Sequence, residues 1–262
     1  MHHAQEANAT DNNPPARLDN GSSTPHRFST CPLYLQVRNA IAQRIIAGEW
    51  KPRTTIPSES ELAREFNVSV GTMRKALDVA EAERLLTRRQ GRGTFVNDHA
   101  SSEHAARYSN IRNREGDHIK GDVTVLSVFE TTVNEREGMR LRLRARERVH
   151  RIRRVWSIQG KPYMLEDVAM PAKLFPSFAT HEDASVHIAT LAQQVGILLG
   201  QHDERISVSN AAPDVAMALQ VEAGDLLMRL DRVIYNLQHV PVEWRLGQCL
   251  MEDGRYYLAQ FK

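Results

Sequence analysis

Residues 58–80 read SESELAREFNVSVGTMRKALDVA, and this stretch decides the fold of the N-terminal part of the chain. Ser58 and Glu61 have the Ser-x-x-Glu spacing of a capping box, which marks the start of a helix. After a tight break, Ser69 is placed to cap a second helix. Two short helices in this arrangement predict a helix-turn-helix. The inner face of the second helix is formed by Met73, Leu77 and Ala80.

Upstream of this stretch the sequence predicts a disordered tail and then one further helix. Residues 1–30 are polar and carry almost no large apolar side chains, so they cannot bury enough surface to offset the entropy of ordering. Apolar residues then recur every four positions, at Val37, Ile41 and Ile45, which is the spacing of one helix face. Gly48 ends this helix in the manner of a C-terminal cap.

Downstream of the helix-turn-helix the sequence predicts two short strands, residues 85–89 and 94–96. The Gly-Arg-Gly segment between them, residues 91–93, supplies the positive φ angles of a tight hairpin. A helix-turn-helix followed by such a hairpin is a winged helix. We place this domain at residues 31–97.

The C-terminal part of the chain has a different pattern. A polar linker over residues 98–120 precedes a domain at 121–262 in which strand-like alternation dominates. Strands with helices inserted between them predict an α+β fold around an antiparallel sheet. The clearest strands are 123–128, 149–156 and 226–235, and the predicted helices lie near 186–195 and 213–219.

Composition excludes several classes of protein. Hydrophobic residues make up 41% of the 262 residues, yet no apolar run approaches the roughly 20 residues of a membrane helix. The first residues lack the layout of a signal peptide. Cys31 and Cys249 are too few for a disulfide framework or a zinc site, and the histidines lack metal-ligand spacing. We therefore expect a cytoplasmic protein without a metal or a cofactor.

Positive charge is concentrated where the helix-turn-helix lies. The whole chain has a net charge of +2, whereas residues 31–96 contain 11 Lys and Arg against 7 Asp and Glu. Such an excess suits nucleic-acid binding. In a helix-turn-helix, the N-terminal part of the second helix enters the major groove. At that end Ser69 and Thr72 suit phosphate, and Gly71 allows the backbone to approach closely.

Four arginines are candidates for DNA contacts. Arg74 carries a forked, permanently charged group that suits guanine edges or phosphate oxygens. In the wing, Arg88, Arg89 and Arg92 are predicted to meet the DNA backbone or the minor groove. For each arginine taken singly, a solvated surface charge is an equally good interpretation. Their combination with the caps, the turn and the hairpin favours DNA binding.

Three stretches of this domain resemble the winged helix of the GntR family. They are IPSE at 56–59, TMRKAL at 72–77 and RQGRGTFV at 89–96. The resemblance covers about residues 32–96 almost without gaps. It implies a DNA-binding regulator that acts as a homodimer on a two-fold symmetric operator.

Two positions depart from the family pattern. Ser60 and Val70 stand where the family often has arginine, and both positions commonly touch DNA in relatives, so the base preference cannot be carried over. Arg74 keeps its family position. The predicted DNA-binding residues are Ser58, Ser60, Ser69, Val70, Gly71, Thr72, Arg74, Lys75, Arg89, Gly91, Arg92 and Gly93.

The second domain resembles the UTRA domain of the HutC subfamily, which shares its fold with chorismate lyase. The matching stretches are RIRRV at 151–155 with GKP at 160–162, PAKLFP at 171–176, and PVEWR at 241–245 with DGRY at 253–256. Other effector domains of the family fit less well, because this half is strand-rich and too short for an aminotransferase fold. The resemblance implies that a small-molecule effector binds here.

By the same resemblance, Arg154, Glu166, Arg245 and Tyr256 line the effector pocket. Arginines in such a pocket hold a carboxylate or a phosphate, so we expect an anionic effector. Arg245 stands where sugar-phosphate sensors commonly have serine, and Trp156 stands where some relatives have arginine. Both differences alter the pocket and argue against a sugar phosphate.

The sequence leaves three functions to be weighed. The favoured one is a ligand-responsive regulator, most often a repressor, that an effector releases from its operator. The second is a chorismate-lyase-like enzyme, which the shared fold suggests, although fold does not determine chemistry and no catalytic constellation stands out. The third is a winged helix that serves protein contacts only. We predict a regulator and not an enzyme.

Overall fold

A computed structural model describes residues 31–98, 110–119, 121–178 and 180–259. The predicted tail, residues 1–30, lies outside the described residues, and so does part of the predicted linker. From Leu33 onwards the described residues belong to one compact unit. None of the helices in the described part of the chain has the length and apolar character needed to cross a lipid bilayer.

The first domain is the predicted winged helix. Its core is formed by fully buried side chains that the helices and the hairpin share, among them Ile41, Leu62 and Leu77. Thr55 also bridges to Phe95, which attaches the loop before the second helix to the wing. The elements are α1 (Leu33–Ile46), α2 (Glu59–Glu65), α3 (Val70–Ala82), β1 (Leu86–Arg89) and β2 (Gly93–Val96).

The local signals read from the sequence are present as hydrogen bonds. Ser58 accepts from the backbone of Glu61 at 3.3 Å, and the Glu61 carboxylate accepts from the backbone of Ser58 at 2.8 Å. Ser69 accepts from the Thr72 backbone at 3.1 Å, which caps α3. Gly93, at the start of β2, has a φ of +101°, a conformation that side chains other than glycine rarely adopt. The predicted caps and hairpin are confirmed.

The second domain is built on an antiparallel sheet of six strands in the order β4-β5-β6-β9-β8-β7. A separate two-stranded sheet pairs β3 with β10. The strands are β3 (Ile111–Arg112), β4 (Asp122–Thr132), β5 (Arg148–Ile158), β6 (Lys161–Pro171), β7 (Leu199–Asn210), β8 (Leu226–Asn236), β9 (Pro241–Cys249) and β10 (Tyr256–Tyr257). The predicted α+β class and antiparallel sheet are confirmed.

Four short helices and one 3₁₀ turn lie between these strands, two helices more than the sequence predicted. Both additional helices begin with a capping box, Asn134 with Glu137 and Thr180 with Asp183. These capping boxes were the sequence signal from which the two helices could have been predicted. They lack the long apolar periodicity on which the prediction relied. The elements are α4 (Glu135–Leu141), a 3₁₀ turn (Ala172–Leu174), α5 (His181–Ser185), α6 (Ile188–Gln194) and α7 (Pro213–Leu219).

The helices cover both faces of the six-stranded sheet. On one face, Ile188 of α6 packs with Ile152 of β5 and Val168 of β6 in a common core. On the other face α4 and α7 contribute to two separate clusters, through Leu141 and Val215 respectively. Charged side chains on the first face therefore lie beneath helices, away from solvent.

The two domains meet through an apolar contact. Leu198 and Leu237 of the second domain belong to the hydrophobic cluster of the winged helix. A Cβ atom placed on Gly196 would lie 3.1 Å from Cγ2 of Ile46 in α1, so the backbone between α6 and β7 passes close to the first domain. A displacement of this segment would therefore change its packing against α1.

Candidate DNA interface and buried ionic cluster

The first turn of α3 faces solvent, as the helix-turn-helix requires. Ser69, Val70 and Gly71 are exposed, whereas Met73 on the opposite side is fully buried. The Ser69 hydroxyl lies 2.9 Å from that of Thr72 in addition to capping the helix. Both hydroxyls are therefore held in place at the end of the helix that carries partial positive charge.

Two cations of α3 are held by residues of neighbouring helices. Arg74 donates from Nε to Oε2 of Glu59 in α2 at 3.0 Å, and its side chain is 64% exposed. The Lys75 ammonium lies 4.1 Å from the centre of the Tyr34 ring of α1, a cation–π contact. Arg74 and Lys75 are thus both on the surface and both oriented.

The wing carries two arginines on its exposed side. The Arg89 guanidinium lies 5.0 Å from the centre of the Phe95 ring, which orients it across the hairpin. Arg92 is exposed between the two glycines of the turn, and Ser58 and Ser60 are exposed at the start of α2. The predicted contact residues of the wing, α2 and α3 therefore all have surface positions, Thr72 being half-buried.

Arg88 does not share this orientation. Its guanidinium makes ion pairs with Asp78 and Glu81 of α3 and with Glu59 of α2. The side chain is only about one-third exposed because it lies against these helices. Arg88 therefore fixes the wing to α2 and α3, and its predicted contact with DNA stays a prediction.

A buried ionic cluster lies on the helix-covered face of the large sheet. Arg154 of β5 donates to Glu166 of β6 at 2.8 Å, and Arg245 of β9 donates to the other carboxylate oxygen at 3.0 Å. Trp156 adds a hydrogen bond to Glu166 at 2.6 Å. The exposed fraction is 2% for Arg154 and for Glu166. Three of the four predicted effector contacts therefore lie together.

Electrostatics keep this cluster charged despite its burial. Burial alone would raise the pKa of Glu166, but Arg245 and Arg154, together with the Trp156 hydrogen bond, lower it to about 2. The pKa of the neighbouring His187 is lowered to about 3 by burial and by the same two arginines. At neutral pH Glu166 is therefore an anion and His187 is uncharged.

Two further side chains of the cluster were not predicted as site residues. Glu243 accepts from Arg245 Nε at 3.0 Å, and His187 caps α6 by accepting from the Ala189 backbone at 3.2 Å. Glu243 could have been found from the sequence, because residues two apart on a strand share a face. No pattern in the sequence around His187 predicted it as a site residue. Its place depends on how α6 packs on the sheet.

Among the described residues, two of the three nitrogens of the Arg154 guanidinium have hydrogen-bond partners. Nε pairs with Glu166, and Nη1 donates to the carbonyl oxygen of Ala184 in α5 at 2.8 Å. Nη2 is buried and has no hydrogen-bond partner among the described residues. A buried donor without a partner is costly, so this nitrogen is suited to an acceptor supplied from outside the chain.

Tyr256, the fourth predicted effector contact, lies elsewhere. It is on β10, opposite Arg112 of β3, and 38% of its surface is exposed. Its neighbour Tyr257 instead hydrogen-bonds to Glu204, which pairs with Arg232 in a second buried ion pair. The structure therefore joins Arg154, Glu166 and Arg245 but not Tyr256.

The two domains correspond to two known protein families. Residues 33–96 match the family described as "Bacterial regulatory proteins, gntR family", and residues 118–252 match the UTRA domain. The chain is a GntR-family regulator of the UTRA type. The GntR assignment and the predicted order of the two domains are confirmed.

Relatives with assigned roles span nearly the whole of this GntR regulator. It is 30% identical over 233 residues to the histidine utilization repressor of Pseudomonas putida, covering 86% of this chain and 92% of that protein. It is 32% identical over 229 residues to the mannosyl-D-glycerate transport/metabolism system repressor MngR of Escherichia coli, covering 86% of this chain and 88% of that one. The chain is thus a ligand-responsive, DNA-binding transcription regulator.

Solved structures support the same fold. PhnF from Mycobacterium smegmatis superimposes with a TM-score of 0.52 at 22% identity, covering 86% of this chain and 99% of that one. The possible transcriptional regulator YydK from Bacillus subtilis superimposes with a TM-score of 0.53 at 18% identity, covering 87% of this chain and 99% of that one. At these identities the likeness concerns the fold alone.

Proposed function

We propose that two copies of this GntR regulator bind a two-fold symmetric operator and repress transcription until a small anionic molecule binds the UTRA domain. The observation that carries the proposal is the buried cluster of Arg154, Glu166 and Arg245, in which Nη2 of Arg154 has no hydrogen-bond partner among the described residues. Two relatives of this chain are repressors, the histidine utilization repressor and MngR, and this supports the sign of regulation.

The DNA side of the proposal rests on the exposed end of α3. Its first two turns enter the major groove, where Arg74 contacts a guanine edge or a phosphate. Ser58, Ser60, Ser69, Gly71, Thr72 and Lys75 contact the backbone around it. Arg89 and Arg92, with the turn glycines Gly91 and Gly93, follow the backbone or the minor groove beside it.

The effector side follows from the charges of the cluster. Arg154 and Arg245 are matched by Glu166 and Glu243, so the cluster is held together without a ligand. Nη2 of Arg154 adds one more donor, and a carboxylate or a phosphate would make the strongest hydrogen bond to it because the bond is charge-assisted. This favours an effector with a single compact anionic group.

Burial of the cluster links effector binding to movement. We infer that an effector reaches Arg154 through a shift of α5 or α6, since Arg154 donates to Ala184 of α5 and His187 of α6 interacts electrostatically with both arginines. The chain then runs from α6 through Gly196 to Leu198, which packs in the winged-helix core. A ligand changes DNA affinity only by its differential affinity for two such arrangements.

A titration of the full-length protein on DNA tests the proposal. DNA selected by the protein from a random library is labelled, and binding is followed by fluorescence anisotropy while light scattering measures the mass of the complex. We expect two chains per two-fold site and release by a subset of small carboxylates or phosphates. One chain per site, or binding that none of a broad panel of anions alters, would contradict the proposal.

Two smaller expectations accompany this function. We expect the UTRA domain to bind its ligand without chemical change, so chorismate incubated with the purified protein should remain intact. Formation of 4-hydroxybenzoate would instead support the lyase alternative. Because a bacterial chromosome lies in the cytoplasm, we also expect the regulator to act there.

A further inference from the structure

Val70 is an apolar side chain in an unexpected place. It is the first residue of α3, directly after the Ser69 cap, and 42% of its surface is exposed. The core of the winged helix is formed by the opposite face of α3, through Met73 and Leu77, so Val70 adds nothing to it. An exposed apolar side chain at the N-terminal end of a helix proposed to enter the major groove is in a position to contact a base edge.

The neighbours of Val70 are already engaged within the protein. The hydroxyls of Ser69 and Thr72 form a hydrogen bond with each other, and Arg74 donates a hydrogen bond to Glu59. Lys75 makes a cation–π contact with Tyr34. Gly71 has no side chain. Val70 therefore presents the free apolar surface of the first turn, and β-branching restricts it to essentially one rotamer in a helix. A rigid apolar group can discriminate between surfaces without a large loss of entropy.

Base edges in the major groove offer one apolar group, the C5 methyl of thymine. From the exposure of Val70 and its place on α3 we infer that Val70 is a specificity-determining residue that reads this methyl group in each operator half-site. The inference rests on the proposed entry of α3 into the major groove. It adds a base preference that the DNA-binding function alone does not contain.

Geometry relates this thymine to the base read by Arg74. Val70 and Arg74 are four residues apart, about one turn of the helix or roughly 6 Å along its axis. Successive bases on a strand are about 3.4 Å apart. The thymine therefore lies within about two base pairs of the base pair that Arg74 contacts.

Replacing thymine by uracil tests the inference, since uracil lacks only the methyl group. The operator is selected from a random library with the full-length protein, and each thymine near the half-site guanine is changed singly to uracil. We expect one position per half-site at which this change weakens binding about fourfold, the effect of losing one buried methyl-sized group. In Val70→Ala the same change should have no effect.

A matched control separates this result from a general loss of binding. Val240, in the turn between β8 and β9, is 45% exposed, so Val240→Ala removes the same atoms from a similar surface far along the chain. Its ratio of thymine to uracil affinity should equal that of the unchanged protein. Melting temperatures of both variants check that the fold is intact.

The outcomes distinguish this inference from the function on which it rests. Equal binding of thymine and uracil DNA at every position, or a ratio that Val70→Ala leaves unchanged, overturns the role of Val70. If Arg74→Ala in the same assay still weakens binding, the interface itself stands. If neither Arg74→Ala nor any uracil change alters affinity, the proposed entry of α3 into the groove is wrong.

Discussion

Arg74 of α3 and Glu59 of α2 form an ion pair of 3.0 Å between Nε and Oε2. The other oxygen of Glu59 lies 3.3 Å from Nη2 of Arg88 in the wing. One carboxylate therefore joins the DNA-reading helix, the helix before it and the wing. Exposed ion pairs contribute at most about 1 kcal/mol to stability, so the main consequence of this one is the orientation of Arg74.

Loss of Arg74 should weaken operator binding strongly. We expect Arg74→Ala to lower the binding free energy by about 1–3 kcal/mol, the usual cost of losing a base contact. Lys161→Ala, which removes one positive charge from the first residue of β6, serves as the control. Anisotropy titrations at one salt concentration compare them, and equal affinities would mean that another face of α3 reads DNA.

Loss of Glu59 should affect selectivity more than stability. In Glu59→Ala, Arg74 is no longer held and one negative charge leaves the DNA-binding surface. We expect tighter binding to random DNA and therefore a smaller ratio of operator to random-sequence affinity. Urea denaturation should show a change of less than about 1 kcal/mol in the free energy of unfolding. An unchanged ratio of operator to random-sequence affinity would mean that Glu59 does not influence the DNA interface.

Nη2 of Arg154 gives a specific test of the proposed effector pocket. Arg154→Lys keeps a positive charge near Glu166 but removes Nη2, so we expect operator binding to persist and the effector concentration needed for release to rise at least tenfold. Arg153→Lys is the matched control, because Arg153 is the neighbour of Arg154 on β5 and pairs with Asp214 instead of Glu166. A normal release curve for Arg154→Lys would exclude this nitrogen as the ligand contact.

The ionic cluster should make stability fall in acid. The pKa of His187 is about 3 in the folded protein against an ordinary value of 6.5, and the pKa of Glu166 is about 2 against an ordinary value of 4.5. Between these values the unfolded chain binds more protons than the folded one, so stability decreases as the pH falls. His187 contributes to this loss of stability as the pH falls from about 6.5 to 3. Glu166 contributes as the pH falls from about 4.5 to 2.

The histidine contribution can be isolated by substitution. We expect His187→Asn, which retains a capping side chain, to flatten the pH dependence of the unfolding free energy between pH 6.5 and 4.5. A single group contributes at most about 1.36 kcal/mol per pH unit. His181→Asn, at the exposed start of α5, should leave the slope unchanged. If the two variants behave alike, His187 does not titrate as its burial implies.

The predicted effector contacts show which parts of the site could be inferred from the sequence and which required the tertiary structure. Arg154 and Glu166 belong to one hairpin, so their pairing follows from a short turn and could be read locally. Arg245 is 79 residues away from Glu166 and reaches it only because β9 pairs with β6. The resemblance to the UTRA domain named Tyr256, whereas the strand pairing turns its neighbour Tyr257 towards a buried carboxylate.

The amino-acid sequence by itself determined the winged helix and both families, and it predicted the surface that faces DNA. Those features depend on caps, glycine turns and helical spacing, which act over a few residues. Only the tertiary structure decided that Arg88 turns inward to Asp78 and that His187 joins the buried arginines. Such contacts depend on which distant elements pack together, and a side chain's charge does not reveal its partner until strand order and helix position are established.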